Sequence, residues 1–435
     1  MCRIFFLVLL FVFSSEQGIL KRSVRSKHGR DCYSDAACEE GLVCKINRCY
    51  TKYEAKNLKA LGLLETNLCD LRKKCKGDKI CVKHRCVDEN YHAEPKIGRT
   101  KDIEDVHLLF TGSIVLNQKP YLSGIKANND INYDHLFANI EKSIKNADVS
   151  VATQQTVFHI ENGKFTKNYK NTPKELGDAL AKAGFDIVLH ASPYAYAHKD
   201  KGIIQTLNFW KNNHPKVHPL GISATIQDHE KDYYILNQNN IKIGIINYSG
   251  LNIKGIASKN KFMINILDRK KVEEDLPKLK KEVDFLVVCV DWGGKSSLLP
   301  NNIQISWAKV FAKYGADLVI GNYPSHVQPV THVRADNGKT ALVMFSLGSL
   351  VEDNGKKTSS LGALANIIVS KANDKTYISS YNLIPTLNHK TKKEYTVYKL
   401  SQYDDDLGKE VDSSFSLQKL KKTCKTTMGV FAHCY

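Results

Sequence analysis

Long hydrophobic runs are nearly missing from this sequence. The longest, Ile4–Phe13, has ten residues, well short of the roughly 20 that a helix needs to cross a bilayer. With Arg3 before it and small or polar residues at Ser14–Gly18 after it, residues 1–18 read as a secretory signal. No later run reaches that length, so the expectation is a soluble protein without a transmembrane segment, secreted or held in a secretory-vesicle lumen. Acidic residues are also in short supply, 45 against 63 Lys and Arg, for a net charge of +18. Lys21-Arg22 is either a dibasic cleavage site, making 19–31 a propeptide, or a stray basic pair. Cleavage there removes three basic residues and one acid and leaves +16. Such an excess attracts a polyanion; it equally fits a lysine-rich bias that keeps a protein dissolved. A Gly-x-Ser-x-Gly elbow, a Walker-type phosphate loop and a Cys/His pair suited to nucleophilic attack are all lacking, which argues against those three chemistries.

Cysteine is plentiful at one end only. Cys32, Cys38, Cys44 and Cys49 read C-x5-C-x5-C-x4-C, and Cys69, Cys75, Cys81 and Cys86 repeat that spacing 37 residues later. Residues 32–49 and 69–86 are therefore a tandem repeat. Modules this short bury too little apolar surface to stand without crosslinks. In a secreted chain the reading is two disulfides per repeat, because structural zinc sites favour tighter Cys pairs. First-to-third and second-to-fourth is the expected pairing, although spacing does not fix it. Cys424 and Cys434 are expected to close a C-terminal loop, and Cys289, set among valines, to be an inert core thiol.

Asp88–Asp105 is polar, holds Pro95, and reads as a linker. The large domain is expected over 106–400 and a basic tail over 401–435. Strands are expected at Val106–Phe110, Val149–Ala152 and Ile187–Leu189, and helices over Tyr133–Lys145, Pro173–Ala183 with Thr172 as N-cap, and Gly202–Trp210. Asn239-Asn240 and Asp336-Asn337-Gly338 mark hairpins. The Val-rich run Val283–Val290, a helix over Ile303–Tyr314 and the apolar run Ala316–Ile320 form a βαβ unit. Its loops, Asp291-Trp292-Gly293-Gly294 and Gly321–Pro329, fall at strand carboxyl ends, where α/β sheets keep their sites. Alternating β and α units followed by hairpins give a layered α/β sandwich.

Seven stretches stand in an order that resembles the CapA family of poly-γ-glutamate capsule synthesis proteins: FTGS at Phe110–Ser113, NADVSVA at Asn146–Ala152, AGFDIVLHA at Ala183–Ala191, KGIIQTLNF at Lys201–Phe209, VDFLVVCVDWGG at Val283–Gly294, YGADLVIGNYPSHVQPV at Tyr314–Val330 and VMFSLGSL at Val343–Leu350. The resemblance implies a four-layer αββα, metallophosphatase-like α/β (α+β) sandwich behind a small disulfide-rich domain. It also implies metal ligands at positions that this chain fills otherwise. Ser113 stands where the family has Asp, Gln155 where it has Glu, and Ser192-Pro193-Tyr194 in place of Asn-Asn-His. Ala197 replaces Asp, Asp291 replaces His, and Asn322, Tyr323 and Ser325 replace three histidines, with His326 one place late. A dinuclear hydrolase centre needs several carboxylates and imidazoles, so the resemblance implies a kept scaffold with lost chemistry.

The expectation is thus a secreted, non-catalytic protein that binds or organises an anionic polymer, such as poly-γ-glutamate or a sulfated glycan, or supports its synthesis, with no cofactor. Lysines at 278, 280, 281, 390, 392, 393, 419, 421 and 422 are the candidate polymer contacts, although any single cluster also reads as a solvated face. Two alternatives stay open. One is an adhesion or matrix protein whose cysteine-rich repeats bind an extracellular partner. The other is a metallohydrolase whose rebuilt site holds one divalent metal on Asp291, His326, His190 and His198. Asn247-Tyr248-Ser249 is a glycosylation sequon at an expected strand end.

Overall fold

The computed structural model of the chain divides into two units, Met1–Gly98 and Arg99–Tyr435. It describes the backbone of 42–45, 48–51, 79–82 and 85–88, and residues 104–434 apart from 127, 129, 160–171, 251–252, 254–255, 295–296, 354–360, 373, 392–393, 430–431 and 433. The signal, the propeptide, most of the linker and the disulfides of the repeats lie outside the described residues.

In the first unit each repeat ends in the same hairpin. Strands β1 (Leu42–Lys45) and β2 (Arg48–Thr51) pair antiparallel with Cys44 opposite Cys49. Strands β3 (Lys79–Val82) and β4 (Arg85–Asp88) do so with Cys81 opposite Cys86.

The second unit opens with β5 (Glu104–Ile114), followed by helices α1 (Gln118–Ser123) and α2 (Glu141–Lys145) and strand β6 (Val149–Gln154). Helix α3 (Lys174–Ala183), β7 (Ile187–Leu189), α4 (Lys199–Asn213) and β8 (His218–Leu220) continue the alternation. Strands β5 to β8 run parallel as neighbours. The chain then crosses to a second sheet through α5 (Ile226–Glu230) and the hairpin of β9 (Tyr233–Gln238) and β10 (Ile241–Ser249). Helix α6 (Arg269–Glu282), β11 (Phe285–Asp291), α7 (Asn302–Lys313) and β12 (Leu318–Asn322) form the expected βαβ unit, and β13 (Val330–Arg334) and β14 (Thr340–Met344) the expected hairpin. Strand β15 (Ser349–Val351) returns to β5, and β16 (Gly362–Ala372), β17 (Lys375–Lys390) and β18 (Tyr395–Lys399) extend the first sheet antiparallel.

Two sheets result, one in the order β18-β17-β16-β5-β6-β7-β8 and one in the order β13-β14-β12-β11-β10-β9. Alternation along each strand divides its side chains between two faces. Val106, Leu108 and Phe110 of the first sheet meet Ile243, Val287, Cys289 and Ile320 of the second in one core. Leu109, Ala152 and Val188 face the other way, onto α3 and α4 through Leu176, Leu180, Phe209 and Trp210. Helix α6 lies along β10 and β11, and α7 along β13 and β14. The layers are helix, sheet, sheet, helix, as the resemblance implies. Cys289 is fully buried, and burial pushes its thiol up, which keeps it unreactive.

Several expectations need correction. The C-terminal segment is no tail. Helices α8 (Asp405–Val411) and α9 (Leu417–Met428) fold onto the domain, and Cys424, Met428, Ala432 and Cys434 join the core between the sheets. The Cys424–Cys434 disulfide is present. Tyr133–Lys145 is not one helix but a 3-10 turn, Asp134–Leu136, and then α2. Tyr133 is fully buried with its hydroxyl donating to the Tyr121 carbonyl at 3.0 Å, and this anchoring overrides the helical period. Thr172 does not cap α3; its hydroxyl pairs with that of Thr156, and Pro173 occupies the cap.

Candidate functional site

Parallel strands of both sheets end at one place. Ser113 near the end of β5, Gln155 just after β6, Ser192 after β7, Asp291 at the end of β11 and Asn322-Tyr323 at the end of β12 all lie there. Glycine permits the close approach. A Cβ on Gly321 would stand 2.2 Å from both the Phe345 carbonyl oxygen and the Trp292 indole nitrogen. That indole donates to the Phe345 carbonyl at 2.8 Å and fixes the loop after β11.

A hydrogen-bonded network joins these residues. The Gln155 amide donates to Ser113 Oγ at 3.0 Å and to Asp291 Oδ2 at 2.9 Å, bridging the two sheets. Asp291 Oδ1 accepts the Gly293 N–H at 3.2 Å. Ser192 Oγ donates to the Gln155 carbonyl and accepts the Tyr194 N–H at 3.1 Å. Asn322 Nδ2 donates to Thr153 Oγ1 at 2.9 Å. Above them the Tyr194 and Tyr323 rings stack at 6.4 Å. Asp291 is 1% exposed. Burial pushes its acid up to about 8, against the lowering effect of the Gly293 and Gln155 hydrogen bonds, so the group is mostly protonated at neutral pH.

This donor set does not fit a metal pair. It offers one buried acid, amides and hydroxyls, where a dinuclear centre needs several carboxylate and imidazole ligands. Among the described residues no group of three or more His, Cys, Asp or Glu gathers to hold a metal. The rebuilt set of Asp291, His326, His190 and His198 is not brought together. His190 is turned into the outer core, where its Nε2 accepts the Trp210 indole N–H at 3.0 Å beside Phe158. Burial depresses its imidazole to about 3, so it is neutral. His198 stacks on His159 at 4.1 Å at the start of α4. Pro193, Ala197, Ser325 and His326 are half-buried in the loops after β7 and β12.

Other expectations divide. Asn247 is 2% exposed and its side chain accepts the Ala191 N–H at 2.8 Å, so the sequon is inside the fold and unsuited to glycosylation. Lys278, Lys281, Lys419 and Lys422 are exposed, and Lys421 is half-buried. Lys280 is tied to Asp317 at 2.7 Å, and Lys390 is buried against Asp353 at 3.2 Å, so neither is an open polymer contact. Lys392 and Lys393 lie outside the described residues. Sequence reasoning missed Glu352, whose charge reaches Tyr323, because no motif marks the end of a three-residue strand.

The family model described as "Bacterial capsule synthesis protein PGA_cap" matches residues 107–354. The chain is 26% identical over 201 residues to the PGA biosynthesis protein CapA of Bacillus subtilis (strain 168), covering 44% of this chain and 51% of that one. It is 24% identical over 232 residues to the capsule biosynthesis protein CapA of Bacillus anthracis, covering 51% and 54%. The chain thus spans about half the length of these curated relatives. Solved structures that it resembles loosely include the NAD nucleotidase NadN of Haemophilus influenzae, at TM-score 0.42 and 11% identity over 75% of this chain and 60% of that one. The calcineurin-like phosphoesterase YfkN of Bacillus subtilis is similar at TM-score 0.40 and 12% identity, over 75% and 98%.

Proposed function

Because the chain belongs to the bacterial capsule synthesis protein family PGA_cap, we propose that it is a secreted, non-catalytic protein that binds or organises an anionic polymer of the poly-γ-glutamate type. One observation carries the loss of catalysis. At the positions where the resemblance implies metal ligands, Gln155 ties Ser113 to a buried Asp291. Such a network holds the scaffold together and leaves a single acid where a dinuclear centre needs several carboxylates and imidazoles. Polymer attraction comes from the net charge of +18 and from the exposed lysines on α6 and α9. Surface lysines attract polycarboxylates at a range that salt screens within about 10 Å at 0.1 M.

Among the described residues no helix is long and apolar enough to cross a membrane. Titration of the full chain with fluorescent poly-γ-glutamate tests the reading. Affinity should fall steadily as salt is raised. Absence of binding at low salt, or affinity indifferent to salt, contradicts it.

A further inference from the structure

Two tyrosines stand above the hydrogen-bonded network. Both are half-buried. Their loops are fixed from below. The Tyr194 N–H is held by Ser192 Oγ at 3.1 Å, and Ser346 Oγ donates to the carbonyl of Pro324, next to Tyr323, at 2.8 Å. Tyr323 itself adopts φ +92°, a conformation costly for a bulky side chain. Strain of this kind, about 1–3 kcal/mol, persists where the surroundings over-determine the backbone, and it clusters at ligand sites. Here it accompanies a ring stacked on Tyr194, with the planes 29° apart.

We propose that Tyr194 and Tyr323 form a phenol pair that hydrogen-bonds an amide carbonyl oxygen of a γ-linked polyglutamyl chain, reading the polymer backbone while lysines outside the site attract its carboxylates. This subsite rests on the polymer reading above. The surrounding charge selects the carbonyl over a carboxylate. A phenol keeps its O–H at neutral pH and donates it, and the Glu352 carboxylate near Tyr323 favours that neutral form. Glu352, its carboxylate taking the Ser349 hydroxyl, opposes a second anion beside it. A neutral carbonyl meets no such opposition. One amide recurs in every residue of poly-γ-glutamate, and none occurs in polyacrylate, which carries carboxylates alone.

The test compares length-matched poly-γ-glutamate and polyacrylate on the full chain at one fixed low salt. Polyacrylate carries its carboxylates more densely and charge alone favours it, so the readout is the change each variant makes relative to wild type. Tyr323→Phe and Tyr194→Phe each keep the ring, and each should lower poly-γ-glutamate affinity by roughly three- to tenfold, the worth of one neutral hydrogen bond, while leaving polyacrylate affinity unchanged. Variants that keep the wild-type affinity for poly-γ-glutamate, or variants weakened equally toward both polymers, overturn the phenol pair and leave polymer binding standing. A wild type that binds neither polymer overturns the polymer reading and the pair together.

Discussion

Replacing Asp291 by Asn should stabilise this protein at neutral pH, which is the opposite of what a metal ligand would show. Burial lifts the folded-state acid to about 8, while an unfolded Asp titrates near 3.9. Below about pH 4 both states hold the proton and folding loses nothing. Between pH 4 and 8 the unfolded chain ionises while the folded one stays protonated, so the unfolded state binds fewer protons and stability falls as pH rises. Above 8 both are ionised and the loss is constant. One pH unit of this window is worth about 1.36 kcal/mol, which puts the cost at pH 7 on the order of 4 kcal/mol. The amide introduced by Asp291→Asn is neutral throughout and of the same shape; its oxygen keeps the Gly293 N–H, and its NH2 is satisfied by the Gln155 amide turned over so that the Gln155 oxygen accepts. The variant should therefore exceed wild type by up to that amount at pH 7 and converge with it near pH 4. Urea unfolding at several pH values, followed by tryptophan fluorescence, reads this directly. All three tryptophans, Trp210, Trp292 and Trp307, lie in the second unit. A difference that ignores pH, or a wild type more stable than the variant at neutrality, would refute the reasoning.

Three further outcomes follow from the fold. Replacing Cys424 and Cys434 by Ala opens a bridge with a sequence separation of 10 and should cost about 2–3 kcal/mol, seen as a lower urea midpoint; an unchanged midpoint would mean that the α9 segment is held without it. Asn247 should stay unmodified when the chain passes through a eukaryotic secretory route, and a glycan on Asn247 in folded protein, detected by peptide mass spectrometry, would contradict its burial. Gly321→Ala forces a Cβ against the Phe345 carbonyl and the Trp292 indole, so soluble yield should collapse and any surviving protein should show altered tryptophan emission; normal yield and emission would show that the loop has room to move.

Much of this architecture is legible in residue order because local signals and burial agree. Asn239 and Asn240 adopt φ of 48° and 58°, the left-handed pair that a two-residue hairpin demands. Helix α7, Asn302–Lys313, lies within a residue of the Ile303–Tyr314 bounds that its apolar period suggests. Strand β11 is buried along its whole length, as its valines foretell. The C-terminal helix is harder to read. Leu417, Leu420, Cys424 and Met428 fall on one face, but Lys419, Lys421, Lys422 and Lys425 between them give the segment the look of a solvated tail. A sequon pattern holds no information about burial, which is why Asn247 misleads.

At the site, the positions can be read from motif order, but the contacts cannot. Nothing local shows that Gln155 reaches across to Asp291 over a sequence separation of 136, or that His190 turns outward to Trp210. Pairings between sheets depend on register at strand ends, which only the assembled fold supplies.

Metal content tests the central claim most directly. The full chain, expressed through an oxidising secretory route, would be assayed for Mn, Fe, Co, Ni, Cu and Zn by mass spectrometry beside a CapA-like protein that keeps its carboxylate and histidine ligands. A site with one acid among hydroxyls and amides at Ser113, Gln155 and Asp291 predicts metal near zero here and stoichiometric metal in the control. One bound metal per chain, lost on Asp291→Ala, would contradict it.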